Sequence, residues 1–376
     1  MRWWVLLLTL SVARPAVAVA GSSERLPATI LIDAGTGRSL REQDADATRP
    51  VGSLSQLMLL LLSLEQSALG VLPLDVPVTV SSAAVSTTAA GSARVPFRPG
   101  KTYLLSDLLK AVTIASANDA AVAVAEAIAG SVPASLDLMN ARARRLGMEA
   151  TRYSSVGAMS ASEASAPDTT TARDLTRLAQ ALLQHPPVLE WAALSGVPFD
   201  QGSILLRNTN QLLGAVPGVD GLQTSSVRVR QGGSFSVIAT ARRGALRLVA
   251  VVLDAADTST RYSTAAELLE WGFAHYERIE IIRKGDPINL PIPVLNGVVS
   301  QLTPVAGQTL SLLRRRDDER DLQLRYQVPV AVRAPLNRHQ EIGEVIVEEK
   351  GQLVAVIPIL SPAGVAATSV LSAGLP

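Results

Sequence analysis

Cysteine is absent from the 376 residues. That excludes disulfides, thiolate metal sites and a thiol nucleophile, and it leaves the redox compartment undecided. Aromatic residues make up only 3% of the chain, so a core has to be built from Leu, Val, Ala and Ile. Lysine is as scarce: Lys101, Lys110, Lys284 and Lys350 are the only four. His185, His275 and His339 are scattered without metal-ligand spacing, so neither a metal nor a cofactor is implied. With a net charge of +1 and no basic cluster interleaved with aromatics, nucleic-acid recognition has no support. What the chain has in quantity is apolar aliphatic sequence. At 48% hydrophobic and 18% charged residues it forms a packed core rather than a disordered chain.

The N-terminus places the protein. Arg2 gives a positive start, residues 3–10 are apolar apart from Thr9, and small residues follow at Ala16, Ala18 and Ala20. This layout predicts a secretory signal peptide over residues 1–20 with an A-x-A cleavage site, and hence a location in the periplasm or cell envelope. A membrane anchor fits less well, because Arg14 and Pro15 interrupt the run well short of the ~20 residues a span needs. The apolar stretch Leu57-Met58-Leu59-Leu60-Leu61-Leu62 is closed by Ser63 and Glu65 and reads as a helix through the centre of a domain.

Patterning divides the remainder into a mixed α/β domain at 21–276, a β-rich domain at 277–362 and a loose tail at 363–376. Alternation predicts strands at 26–33, 234–241 and 246–254, the last two joined as a hairpin through Arg242-Arg243-Gly244-Ala245. Helices are expected at 54–68, across 106–129 with a break at Ser116-Ala117-Asn118, after a capping box at Thr171–Asp174, and around Trp271. Past residue 277, prolines punctuate short alternating runs, including 342–348 and 353–360. The mixed-sign stretch at 314–320 reads as a solvated loop.

Serine acyl transfer needs a hydroxyl nucleophile, a base within reach and donors for the oxyanion. Ser53 stands at the start of the most apolar helix, and Gln56, three residues on, shares its face. Ser116 and Asn118 occupy the small-residue break, and Gln223-Thr224-Ser225 follows Pro217-Gly218-Val219-Asp220-Gly221-Leu222 into the hairpin. Each alone reads as an N-cap or an ordinary strand edge.

In this order and spacing they resemble a known family. Ile30-Leu31-Ile32-Asp33-Ala34-Gly35-Thr36-Gly37, Pro50-Val51-Gly52-Ser53-Leu54-Ser55-Gln56-Leu57-Met58 at S-x-x-K, Ala115-Ser116-Ala117-Asn118-Asp119-Ala120 at S-x-N, and Pro217 to Thr224 at K-T-G are similar to the serine-type D-alanyl-D-alanine carboxypeptidases, the low-molecular-weight penicillin-binding proteins. Arg261, ten residues before Trp271, matches the family arginine that holds the substrate carboxylate. The resemblance implies an α/β fold of the β-lactamase/transpeptidase type, an antiparallel sheet flanked by helices, with a small C-terminal all-β domain. It implies Ser53 as the nucleophile position and peptidoglycan stem peptides or β-lactams as ligands.

The motifs depart from the family where the chemistry lies. Gln56 replaces the lysine that deprotonates the nucleophile, Gln223 replaces the lysine of the third motif, and Ser225 replaces that motif's glycine. The segment Tyr153-Ser154-Ser155-Val156-Gly157-Ala158-Met159 also departs from the family's Asn-Pro-x-Gly-Leu pattern. A carboxamide has no accessible basic nitrogen, and the term lost is general-base catalysis, worth ~10²–10⁴-fold. The expectation is a pseudoenzyme that keeps the cleft; the alternative is a slow, active carboxypeptidase working through an acyl-enzyme on Ser53. The C-terminal domain is expected to serve a protein partner. Residues 361–370 contain no Lys, Arg, Trp or Phe, so the family's amphipathic membrane anchor is not expected.

Overall fold

A computed structural model describes residues 26–86, 93–157, 168–229, 232–319 and 321–368. The expected leader at 1–20 and the final residues of the expected tail lie outside these segments.

The first domain is organised by a strand that has no polar face to show to water. In β1 (Ala28–Asp33) all six residues are buried. It pairs antiparallel with β2 (Ser39–Gln43) on one side. Helix α1 (Gln56–Ala68) follows a 3₁₀ turn, Gly52–Ser55. After a short helical turn at Ser82–Ser86 come the longer helices α2 (Leu105–Ala115), α3 (Asn118–Ala129), α4 (Val132–Arg145), α5 (Ala172–Leu182) and α6 (Pro186–Ala192). Three strands then complete the sheet: β3 (Val219–Val229), β4 (Gly232–Arg243) and β5 (Leu246–Ala255). Their order is β2-β1-β5-β4-β3, which leaves β3 at an edge. Helix α7 (Thr258–His275) closes the domain.

Alternation on the central strands assigns two cores. Ile30, Ile32, Ile238, Val249, Val251 and Leu253 face the helices α1, α2, α3 and α5. Leu31, Val237, Ala239, Leu248, Ala250 and Val252 face α7. Helices therefore lie on both sides of the antiparallel sheet. Residues Leu57 to Leu61 of α1 are almost completely buried, which accounts for an apolar run that no amphipathic surface helix would carry; each such side chain contributes roughly 1.5–3 kcal/mol. Among the described residues no single helix is long and apolar enough to cross a membrane.

The C-terminal part is all β. Strand β6 (Tyr276–Ile282) pairs with β7 (Leu310–Arg315). A four-stranded sheet contains β8 (Leu322–Gln327), β9 (Glu341–Glu349) and β10 (Gln352–Leu360). Its core of Ile282, Ile292, Val345, Val347, Ile357 and Ile359 is separate from the other two. Arg278 on β6 reaches back to Asp33 at the end of β1, 2.5 Å away.

Two local expectations are corrected. Arg314 and Arg315 extend β7 instead of starting a solvated loop, and Arg314 is buried because its guanidinium is held by the Asp318 carbonyl and faces Glu277. The described start of the expected loose tail is bound: Val365 exchanges backbone hydrogen bonds with Leu336, and Thr368 N–H donates to Asn296 at 2.8 Å. The Thr171 capping box is half formed. The Thr171 side chain accepts from Asp174 N–H at 3.1 Å, while the Asp174 carboxylate turns to Ala150 and Thr151.

Candidate active site

Two breaks in regular structure and one strand edge meet at one place. The first is the 3₁₀ turn that carries Ser53 into α1. It begins at Gly52 with φ +54°, a backbone conformation that favours glycine. The second is the joint between α2 and α3. Ser116 takes the left-handed conformation, φ 51°, ending α2; Ala117 is extended, and Asn118 starts α3 with its N–H on the Ala93 carbonyl at 2.9 Å. The third is edge strand β3, which lies against the 3₁₀ turn and brings Gln223, Thr224 and Ser225 up to it.

Four of the residues expected at the site form one amide network. Gln56 Nε2 donates to Asn118 Oδ1 at 2.8 Å and to the Ser116 carbonyl at 3.3 Å. Gln223 Nε2 donates to Gln56 Oε1 at 2.8 Å, to the Val112 carbonyl at 3.1 Å and to Ser116 Oγ at 3.3 Å. The three acceptors around Gln223 Nε2 fix the orientation of that amide, and the Gln56 amide follows from it. Gln56 is 0% and Gln223 1% exposed. Both glutamines thus supply the donors a lysine would supply, without its charge.

Ser53 belongs to a second set of contacts. Its Oγ donates to the Thr224 carbonyl at 3.3 Å and its N–H donates to Ser225 Oγ at 3.0 Å. Among the described residues, the hydroxyl has no hydrogen bond to Gln56, to Ser116 or to any titratable side chain. Thr224 Oγ1 turns away to Thr209 Oγ1 at 2.9 Å.

Arg261 has no hydrogen bond to Ser53 among the described residues, but both residues bond to Ser225. Arg261 is buried behind β3, where its Nη1 donates to the carbonyls of Ser225 and Ser236 and to Ser226 Oγ, and its guanidinium stacks 4.3 Å from the ring centre of Tyr262. In this arrangement Nη1 ties the edge strand, while Nε is buried without a partner.

Several neighbours were not singled out from sequence. Gly157 packs so closely on the network that a Cβ there would come 2.5 Å from Asn118 Oδ1 and 3.0 Å from Gln56 Nε2. Asp119 is buried at the first turn of α3, where its Oδ1 accepts from Val95 N–H and Ala120 N–H. Burial pushes its carboxyl up to about 6, against the pull of those two donors. Nothing in the pattern of residues 153–157 announced the Gly157 contact, but Asp119 next to Asn118 carried a usable cue, an acidic residue in the first turn of a helix.

A hydroxyl at the entry of a buried helix, set between a Ser-x-Asn joint and the edge of an antiparallel sheet, defines a serine acyltransferase framework. Comparison with known proteins then gives the family. Residues 17–257 match the family model described as D-alanyl-D-alanine carboxypeptidase, and residues 276–367 match the C-terminal domain of penicillin-binding protein 5. The chain belongs to the D-alanyl-D-alanine carboxypeptidase family. It is 30% identical to D-alanyl-D-alanine carboxypeptidase DacC of Escherichia coli over 89% of this chain and 82% of that protein. To DacF of Bacillus subtilis it is 25% identical, over 88% of this chain and 83% of the relative. In fold it is similar to penicillin-binding protein 6B from Escherichia coli, with TM-score 0.68 and 24% identity over 90% and 96% of the two chains. Penicillin-binding protein D2 from Listeria monocytogenes, in its ampicillin-bound form, aligns at 30% identity and TM-score 0.55 over 65% of this chain and 96% of that one.

Proposed function

We propose that this protein is an exported, non-catalytic member of the carboxypeptidase family that acts in peptidoglycan metabolism in the cell envelope. Its ligand class is the family's, a stem peptide ending in D-Ala-D-Ala. The observation that carries the reading is the direct Gln223–Gln56 hydrogen bond of 2.8 Å in a fully buried site.

Acylation of a serine requires its proton to move as the hydroxyl attacks a carbonyl carbon. A desolvated lysine amine can accept that proton because burial lowers its pKa towards neutrality. An amide cannot, and the groups bonded around Ser53 here are a carbonyl and a second hydroxyl. Ser116 has no stronger basicity than Ser53 itself. Removing the base from a concerted site costs at least ~10²–10⁴-fold, and more where the groups act together. Loss of both cationic positions also removes the charge that would draw a substrate carboxylate. Export is supported by the positively charged start, apolar run and A-x-A pattern of residues 1–20.

Retained Ser53, Ser116 and Asn118 favour the competing reading, a slow carboxypeptidase, but that reading still needs a proton acceptor. Release of D-alanine from a pentapeptide, compared between wild type and Ser53→Ala, tests the proposal. Equal, background-level release is expected. Release that disappears in Ser53→Ala would establish the slow enzyme instead.

A further inference from the structure

Edge strand β3 is pressed against the turn that carries Ser53 more closely than any residue but glycine would allow. A Cβ at Gly52 would stand 2.3 Å from both Ser225 Oγ and Val227 Cγ2. At that contact Ser225 Oγ accepts the Ser53 N–H at 3.0 Å, and among the described residues it is the partner of that N–H. Ser225 is 3% and Ser53 6% exposed, so the contact is sealed from water.

The backbone N–H beside an attacking hydroxyl is a donor aimed at the place where a carbonyl oxygen gathers negative charge. It therefore selects ligands with an electron-rich oxygen there: a scissile or tightly bound carbonyl, or a carboxylate. We infer that the Ser225 hydroxyl is a built-in occupant of that oxygen-binding position, admitted by Gly52, and that it excludes a D-Ala-D-Ala terminus until it is displaced. Gly52 and Ser225 work as a pair. The absence of a side chain on the turn makes room for the added side chain on the strand. Val227, two residues along and on the same face of β3, keeps the strand against the turn.

The inference rests on the proposed reading of this cleft as a former acyl-transfer site, but it makes a separate claim, about occupancy rather than about proton transfer. Amide-resolved NMR of the full chain, titrated with acetyl-D-Ala-D-Ala, tests it alongside native-state hydrogen exchange. In wild type the Ser53 amide is expected to be protected and to shift only weakly, at high dipeptide concentration, because the Ser225 hydroxyl must first be displaced. In Ser225→Ala its protection should fall by about tenfold, the order expected for loss of one buried hydrogen bond. In Ser225→Gly the dipeptide should shift the Ser53 and Thr224 amides saturably, with at least about tenfold tighter binding than in wild type.

A wild-type Ser53 amide that shifts with the dipeptide as strongly as the variant's would overturn the inference, as would unchanged exchange in Ser225→Ala. The exchange arm compares wild type with a side-chain truncation at one position, so it holds even if Ser225→Gly folds poorly. Failure of the non-catalytic reading looks different in the same tubes: free D-alanine appears in the spectra, whether or not Ser53 shifts.

Discussion

Replacing Gln56 with lysine asks whether this site still tolerates the charge its family relatives carry. Gln56 is fully buried and is bonded to Asn118, the Ser116 carbonyl and Gln223. An ammonium in its place keeps the two donor contacts but offers no acceptor to Gln223 Nε2. No carboxylate is hydrogen-bonded to this network among the described residues, so nothing compensates the desolvated charge. The lysine is then expected to be neutral in the folded protein at pH 7, with its pKa driven to about 7 or below, as for other buried lysines. An unfolded lysine titrates near 10.4. Holding the group neutral at pH 7 therefore costs about 4–5 kcal/mol, while Gln223 Nε2 keeps its bonds to the Val112 carbonyl and Ser116 Oγ. The sign is definite. The unfolded state binds the extra proton, so the stability of Gln56→Lys should rise with pH, by about 1.4 kcal/mol per unit between pH 7 and 10. Urea unfolding of wild type and variant at pH 7.0 and 9.5 measures both quantities. A loss below about 1 kcal/mol with no dependence on pH would show that the site accommodates a cation, and the argument from a neutral network would fail.

Truncating the partner amide, Gln223→Leu, should cost about 1–2 kcal/mol in urea unfolding, because Gln56 Oε1 loses its donor while the already unpartnered Gln223 Oε1 is removed as well. Gly52→Ala should destabilise by at least about 1 kcal/mol, combining strain at φ +54° with the 2.3 Å approach to Ser225 and Val227, and a thermal melt reads it directly. The Asp119 carboxyl is raised to about 6 in the folded state, so its contribution is fully present below the unfolded carboxylate range and is lost as pH climbs through 6. Wild type should accordingly lose about 1–3 kcal/mol relative to Asp119→Asn between pH 4 and pH 7, as followed by urea titrations. Arg278→Ala leaves the buried Asp33 carboxylate with Thr36 alone, and calorimetry should show a loss of about 2–4 kcal/mol.

Much of this was written in the local pattern of the chain. The buried α1 is plain in six consecutive apolar residues, and the β4–β5 hairpin in its alternation and its Gly244 turn. The Ser116–Asn118 joint is readable as small polar residues breaking two Ala-rich helices. The gathering of Ser53, Gln56, Ser116, Asn118 and Gln223 was reachable only through motif order, since no local rule places residue 223 beside residue 56. Other features depend on packing that leaves no periodic trace. The pairing of Arg49–Pro50 with Thr169–Thr170 is two residues long on each side, too short for alternation to register. Arg314 reads as surface because it stands in a charged run, yet its carbonyl partner and Glu277 lie close enough to bury it. Helix α4 carries a Ser131 cap, Pro133 in its first turn and three arginines in its last, a capping signal that alone would have given the helix. The closure of Ser225 on Ser53 joins positions 172 residues apart, and its sequence clue, a serine where the family has glycine, gave the substitution but not its new partner.

Incubation of the purified protein with a penicillin, followed by intact-mass measurement and peptide mapping, tests the loss of proton transfer at Ser53 most directly. The account predicts a protein mass that stays unmodified over hours. A stoichiometric penicilloyl adduct mapped to Ser53 would contradict it.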